Sequence, residues 1–207
     1  MDMNSYITVK ERSHYEYEDR KSIFIGEAMP VSSEAEALSF IDGVKKRYPD
    51  ARHHVYAYIL RENSTMRFTD DREPQGTAGM PVLDSIRKRG VTDVVVVVTR
   101  YFGGTLLGTG GLVRAYTAAA VGALEAATII KYDIYAVVSI NISYSDYNKI
   151  SAILEQYDFR TEDTEYLDNV RILGKLTSTS YADFNLALTE ITSGRAEIEL
   201  IEEKFDY

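Results

Sequence analysis

Hydrophobic positions along this chain recur with two periods, about 2 and about 3.6 residues, and the changes from one to the other mark its elements. Tyr6 to Pro30 alternates well enough to predict two strands, Ile7–Tyr17 and Ser22–Met29, turning near Glu18-Asp19-Arg20 into an antiparallel ribbon. Ser33 and Glu36 form a capping box, after which Leu38, Ile41, Val44 and Tyr48 recur at helical spacing up to Pro49. His54–Leu60 and Met66–Thr69 read as strands around the turn Arg61-Glu62-Asn63-Ser64, and the polar loop Asp70–Gly76 follows. A helix is predicted over Thr77–Arg89, with Pro81 in its first turn and Gly90 as its stop. The unbroken run Val94–Val98 suits a strand covered by helices on both faces. A glycine-rich segment then leads into a helix predicted from Gly111 to about Ile130, whose Ala115, Ala118, Ala119, Gly122 and Ala123 permit close approach to a sheet.

Past Lys131 the pattern restarts. Ile134, Ala136, Val138, Ile140 and Ile142 alternate as a half-buried strand, and Tyr147, Ile150, Ile153, Leu154 and Tyr157 make a helical stripe. Strands at Thr164–Leu167 and Val170–Leu176 flank an Asp168-Asn169 turn. Ser180 and Asp183 predict a capped helix carrying Tyr181, Phe184, Leu188 and Ile191 and ended by Gly194, before a last strand through Ala196, Ile198 and Leu200. The order β-α-β-β-α-β is that of a ferredoxin-like module. The expected organisation is therefore α+β in two domains, residues 1–132 and 133–207.

Composition narrows the class of function. With 207 residues, 45% hydrophobic and 27% charged, the chain has the makeup of a globular protein. It holds no apolar run of the roughly 20 residues that span a bilayer. The N-terminus lacks the basic and apolar regions of a signal peptide, so a cytoplasmic location and no membrane partner are expected. The absence of cysteine excludes disulfides, thiolate metal sites and cysteine nucleophiles. Net charge is −9 and unevenly spread: Met1–Tyr132 has 17 basic and 17 acidic residues, whereas Asp133–Tyr207 has 6 and 15. A nucleic-acid partner then requires a local basic surface. Pro81 to Ala120 supplies one, with Arg87, Lys88, Arg89, Arg100 and Arg114 against Asp84 and Asp93.

The glycine segment, Gly103, Gly104, Gly108, Gly110 and Gly111, is the strongest candidate site. It is not a Walker loop, because Thr109-Gly110 stands where Lys-Ser/Thr is needed, and Val113 replaces the third glycine of a dinucleotide fingerprint. The general feature that survives is a helix start whose free N–H groups favour an anion, with Arg114 in the first turn and Arg100 at the end of the preceding strand. The plainer reading gives the glycines only a tight strand-to-helix turn. His53 and His54 point to opposite faces of a strand and Arg72 interrupts Asp70, Asp71 and Glu73, so no metal site is expected, and no cofactor. Tyr56, Tyr58, Tyr101 and Phe102 are candidates for base stacking. No nucleophile elbow, HExxH helix or kinase signature occurs, and no catalytic residue is assigned.

Arg20-Lys-Ser-Ile-Phe24, His53-His-Val-Tyr-Ala-Tyr58, Asp70 to Gly79 and Val94 to Tyr116 together resemble the YigZ/IMPACT family (UPF0029 domain), and the second part resembles the DUF1949-type domain of its bacterial members. The resemblance implies an N-terminal βαβ-containing fold related to domain IV of elongation factor G and to GHMP kinases, with a left-handed crossover. It also implies a tail like domains III and V of that factor. Eukaryotic members join the family domain to a second module that regulates translation through a starvation-kinase activator, a module with no counterpart here; Arg72 also stands where the family often has glycine. The function expected is a non-enzymatic, translation-associated regulator that binds RNA or the ribosome through the basic glycine-rich surface. The alternatives are a phosphate or nucleotide binder, including an enzyme of unknown class, and a protein-interaction module whose acidic second domain docks a partner.

Overall fold

The computed structural model describes residues 5–207, which form two compact units, Tyr6–Lys131 and, with Ser5, Tyr132–Tyr207. The first contains strands β1 (Ser5–Val9), β2 (Tyr15–Asp19), β3 (Ser22–Pro30), β4 (His53–Ile59), β5 (Met66–Thr69) and β6 (Val94–Tyr101), with helices α1 (Glu34–Arg47), α2 (Gly79–Lys88) and α3 (Gly108–Ala126). Its five-stranded sheet has the order β2-β3-β6-β4-β5 and every pair in it is antiparallel. Because β6 runs against both β3 and β4, those two are parallel to each other, and β3-α1-β4 is a βαβ unit with β6 between its strands. β5-α2-β6 is a second such unit, split by β4.

The valine run is covered on both faces as its pattern requires. Val94, Val96 and Val98 pack with α2 and α3, whereas Val95 and Val97 pack with Ala37, Phe40, Ile41 and Val44 of α1. All five are fully buried, a contribution of about 1.5–3 kcal/mol each. Close approach of α3 to β3 depends on Gly26, where a Cβ would lie 2.3 Å from the Ala119 carbonyl oxygen.

Several boundaries differ from the sequence expectation. The first strand is broken in two because Ser13 turns inward: its N–H bonds to Ala28 O at 2.9 Å and its hydroxyl donates to Ala123 O at 2.6 Å. The expected Leu38 stripe position is 46% exposed, and Ala37 and Phe40 are buried in its place. The third helix begins at Gly108, earlier than Gly111, and ends at Ala126, where Thr128 (φ 56°) turns the chain into the next strand.

The second unit continues from β7 (Ile129–Ile142) through α4 (Tyr144–Gln156), β8 (Arg160–Tyr166), β9 (Val170–Thr177), α5 (Tyr181–Ile191) and β10 (Glu197–Asp206). Its sheet runs β10-β7-β9-β8, all antiparallel, which is the ferredoxin-like arrangement. Ala136, Val138, Ile140 and Ile142 enter the core with Phe184 and Leu188 of α5. Ser143 caps α4 by accepting from Asp146 N, but Ser180 does not cap α5; its hydroxyl accepts from Thr177 Oγ1 at 2.9 Å. Among the described residues no helix is long and apolar enough to cross a membrane.

Candidate nucleic-acid interface

β6 ends at Tyr101, and the chain then passes through Phe102 and Gly103 against the tip of the β2–β3 hairpin. That tip is the two-residue turn Arg20-Lys21, with φ of 47° and 65°, the left-handed pair that such hairpins use. Contact with it is backbone to backbone. A Cβ at Gly103 would lie 2.0 Å from the Lys21 carbonyl carbon and 2.3 Å from Ser22 N, so only glycine fits. Gly103 N donates to Ser22 Oγ at 3.1 Å and Arg20 Nη1 donates to Leu106 O at 3.4 Å, which fastens hairpin and glycine segment together.

Gly108 opens α3 with φ of 71°, and no side chain caps this helix. Its neighbours are arranged differently. The start of α2 is held by Asp70, whose Oδ1 accepts from Ala78 N and Gly79 N at 3.1 and 2.8 Å and whose Oδ2 accepts from Gly76 N at 2.9 Å. The start of α1 is held by Ser33. At α3 the exposed Gly108, Thr109 and Gly110 present the helix's first N–H groups, with the positive end of its dipole, to solvent. Arg114 lies in the second turn because the helix starts early, yet its Nη1 reaches back to 3.6 Å from where a Gly110 Cβ would stand. The exposed basic groups around this helix start are therefore Arg114, Arg20 and Lys21.

The structure divides the residues singled out from sequence. Gly103, Gly104, Gly108, Gly110, Gly111, Arg114 and Phe102 lie in one segment, and Phe102 is 42% exposed there. Arg87, Lys88 and Arg89 lie elsewhere, at the C-terminal end of α2, where a helix dipole favours cations. α2 and α3 run side by side in the same direction: Tyr116 meets Glu73 near one end and Arg89 meets Glu125 at the other. Glu125 is eleven residues beyond Arg114, about 16 Å along the helix. Tyr56 and Tyr58 pair with Val97 and Val95 and so face α1, on the other side of the sheet. Tyr58 is fully buried, its phenol pushed up by burial and donating to Glu34 Oε1 at 2.5 Å. Tyr101 is half-buried.

Arg100 departs most from its expected role. It continues the inward set of Val94, Val96 and Val98 and is only 6% exposed, so it reaches no phosphate at the surface. Its Nη1 donates to Glu73 Oε1 at 2.6 Å, and Tyr116 OH donates to the same oxygen at 2.8 Å. The guanidinium also lies 5.3 Å from the centre of the Phe24 ring and 5.6 Å from that of Phe102. His53 Nδ1 donates to the Asp71 carbonyl at 2.8 Å, and its Nε2 is 3.8 Å from Glu73. Burial, followed by the Glu73 charge, holds the Tyr116 phenol far above its ordinary range. This buried cluster fastens the Asp70–Gly79 loop to β6 and α3, and so sets the shelf from which the glycine segment leaves. Sequence reasoning took Glu73 only as part of a polar, salt-bridged loop and assigned no role to Tyr116, and so missed that the two meet Arg100 inside the unit, although Arg100 shares the parity of the inward valines. It assigned no binding role to Arg20 and Lys21, which only the hairpin register brings alongside.

The segments that meet here, from Arg20 to α3, fall inside a match to the Impact N-terminal domain over residues 20–124. Residues 140–195 match a domain of unknown function, DUF1949. The chain is 35% identical over 198 residues to the Bacillus subtilis IMPACT family member YvyE, covering 95% of this chain and 91% of that one. It is 33% identical over 189 residues to the Escherichia coli IMPACT family member YigZ, covering 90% and 93%. A crystal structure described as that of an hypothetical protein superposes with a TM-score of 0.60 at 32% identity, covering 98% of this chain and all of that one. Matches of this extent to both parts of the chain, in the order in which its two units occur, place it by descent: the chain belongs to the IMPACT family.

Proposed function

We propose that this protein is a translation-associated regulator without catalytic chemistry, which binds RNA or the ribosome through the glycine-rich start of α3. The observation that carries the reading is the uncapped, exposed helix start at Gly108–Gly110 with Arg114, Arg20 and Lys21 around it. Free N–H groups and a helix dipole attract one phosphate, and flanking cations attract its neighbours along a nucleic-acid backbone. Three cations on two segments, Arg20 and Lys21 on the hairpin turn and Arg114 on α3, suit a polyanion better than a single small phosphate. Phe102 and the 81% exposed Leu106 add apolar surface at the same place, where a base or ribose can rest. Family membership supports the translational setting, through the likeness to elongation factor G and to eukaryotic relatives. The neutral first unit needs such a local surface, because the strongly acidic second part repels RNA.

Equilibrium binding to RNA tests the reading. Arg114→Glu is expected to weaken binding at least tenfold and to flatten its salt dependence, while Arg87→Glu, at the far end of α2, has a smaller effect. Unchanged affinity and slope in Arg114→Glu contradict the assignment.

A further inference from the structure

The second unit carries its charge unevenly over its sheet. Ala136, Val138, Ile140 and Ile142 of β7 and Val170 and Ile172 of β9 enter the core with Ile150 of α4 and Phe184 of α5. Ser139, Asn141, Arg171 and Leu173 alternate with them and so lie on the face away from the helices. Strand register extends two rows across that face. One runs Glu197, Asn141, Arg171, Glu165 and the next Glu199, Ser139, Leu173, Asp163. Both rows begin and end in a carboxylate. A cavity of about 500 Å³ opens over their β10 end, bounded by Ser139, Asn141, Glu197, Glu199 and the β8–β9 turn with Leu167 and Asp168.

We propose that this face docks an extended, lysine- or arginine-rich polypeptide segment of a partner protein, an interaction that does not depend on the RNA-binding reading above. Charge is the first argument. Asp163, Glu165, Asp168, Glu197 and Glu199 are all exposed, against the single cation Arg171. That cation is already engaged: its Nη1 lies 3.8 Å from Glu165 Oε2 and its Nε donates to Ser139 Oγ at 3.2 Å. Asp163, Asp168, Glu197 and Glu199 have no cation within ion-pair distance among the described residues.

The spread of these carboxylates decides what kind of cation fits. Among the described residues no three acidic or histidine side chains converge to hold a metal ion. Like charge disfavours both RNA and the same face of a second copy. Cations spaced along an extended chain match instead. Three strand intervals of about 4.8 Å separate β10 from β8, about 14 Å in all, and an extended chain rises about 3.3 Å per residue, so side chains about four residues apart on one side of it reach both edges. Half-buried Leu173 in the middle of the face and Leu167 at its rim, 72% exposed, give the methylene stems of lysine or arginine an apolar surface to lie on.

Fluorescence anisotropy of the full chain with a labelled peptide of alternating lysine and threonine, which places its cations on one side when extended, tests the proposal. Binding is expected at low salt and should weaken as salt screens the pairs. Glu197→Gln combined with Glu199→Gln is expected to weaken it at least tenfold. Glu155→Gln combined with Glu190→Gln, which removes the same charge from exposed positions on α4 and α5, is expected to change it less than twofold. Circular dichroism confirms that both double variants are folded. Equal weakening by the two pairs shows that net charge alone attracts the peptide and overturns the docking face. Spermine that displaces the labelled peptide as well as unlabelled peptide does, at equal concentration of positive charge, overturns the polypeptide as ligand. No binding of the peptide to wild type at low salt overturns the proposal outright.

Discussion

Arg100 and Glu73 meet inside the first unit at 2.6 Å with side-chain exposures of 7% and 4%, directly beneath the segment assigned to binding. Removing one member leaves a buried charge without its partner, which costs about 3–5 kcal/mol. Arg100→Ala is therefore expected to lower stability by that amount in urea denaturation. Under conditions where the variant remains folded, the salt slope of RNA binding should be unchanged, because Arg100 positions the segment from below. A lowered slope in folded Arg100→Ala contradicts this placement.

Tyr116 donates to the same Glu73 oxygen at 2.8 Å. Tyr116→Phe is expected to cost about 1.5–3 kcal/mol, the usual worth of a hydrogen bond to a charged group. It should combine non-additively with Arg100→Ala, since both act on one carboxylate. The pH dependence has a defined sign. The folded phenol stays neutral well above its ordinary range, so its contribution is fully present below about pH 10 and is lost as the unfolded phenol ionises above that. Wild type should lose stability above about pH 10 more steeply than Tyr116→Phe, as read from urea midpoints.

Asp146 organises the second unit. It accepts from Arg195 Nη2 and Lys149 Nζ, each at 2.9 Å, and from Ser143 Oγ at 3.1 Å. These bonds, Arg195 first, hold its carboxyl well below the usual carboxylate range. A depressed folded pKa gives stability that is present above the unfolded value of about 3.9 and lost as pH falls below it. Asp146→Asn should therefore unfold the second unit at lower urea than wild type at neutral pH, with the difference shrinking below about pH 4. An equal difference at both pH values contradicts the pairing.

Gly103→Ala forces a methyl group into the backbone of Lys21 and Ser22. Overpacking of this kind costs about 1–3 kcal/mol. Moving the hairpin tip also moves Arg20 and Lys21, so RNA affinity in folded protein should fall, whereas Gly43→Ala, where a Cβ meets nothing within 4 Å, should leave affinity unchanged.

The two-sided sheet was legible in the five valines, because an unbroken apolar strand has no other stable setting. The ferredoxin-like order was legible in the alternation of Ala136 to Ile142 and in the stripe before Tyr157. Boundaries were hidden where one residue type served two elements. Ile129 and Ile130 continue the apolar pattern of α3 but belong to β7, and Gly108–Gly110 look like loop yet form the first turn of α3. Within the site, the glycines and Arg114 could be read from local sequence. Arg100 was misread by its charge, although its parity with Val98 points it inward. Arg20 and Lys21 could not be read as neighbours of the glycine segment, because the β3–β6 register that brings them there joins residues some eighty positions apart.

Co-sedimentation of the purified protein with ribosomes, at low and at moderate salt, tests the central assignment most directly. The comparison is with a variant carrying Arg20→Glu, Lys21→Glu and Arg114→Glu, and with Arg87→Glu as a surface control. Salt-sensitive pelleting of wild type and of Arg87→Glu, lost in the triple variant, is the expected result. Pelleting that the triple variant retains, or no pelleting of wild type at either salt, contradicts a ribosomal or RNA role for the start of α3.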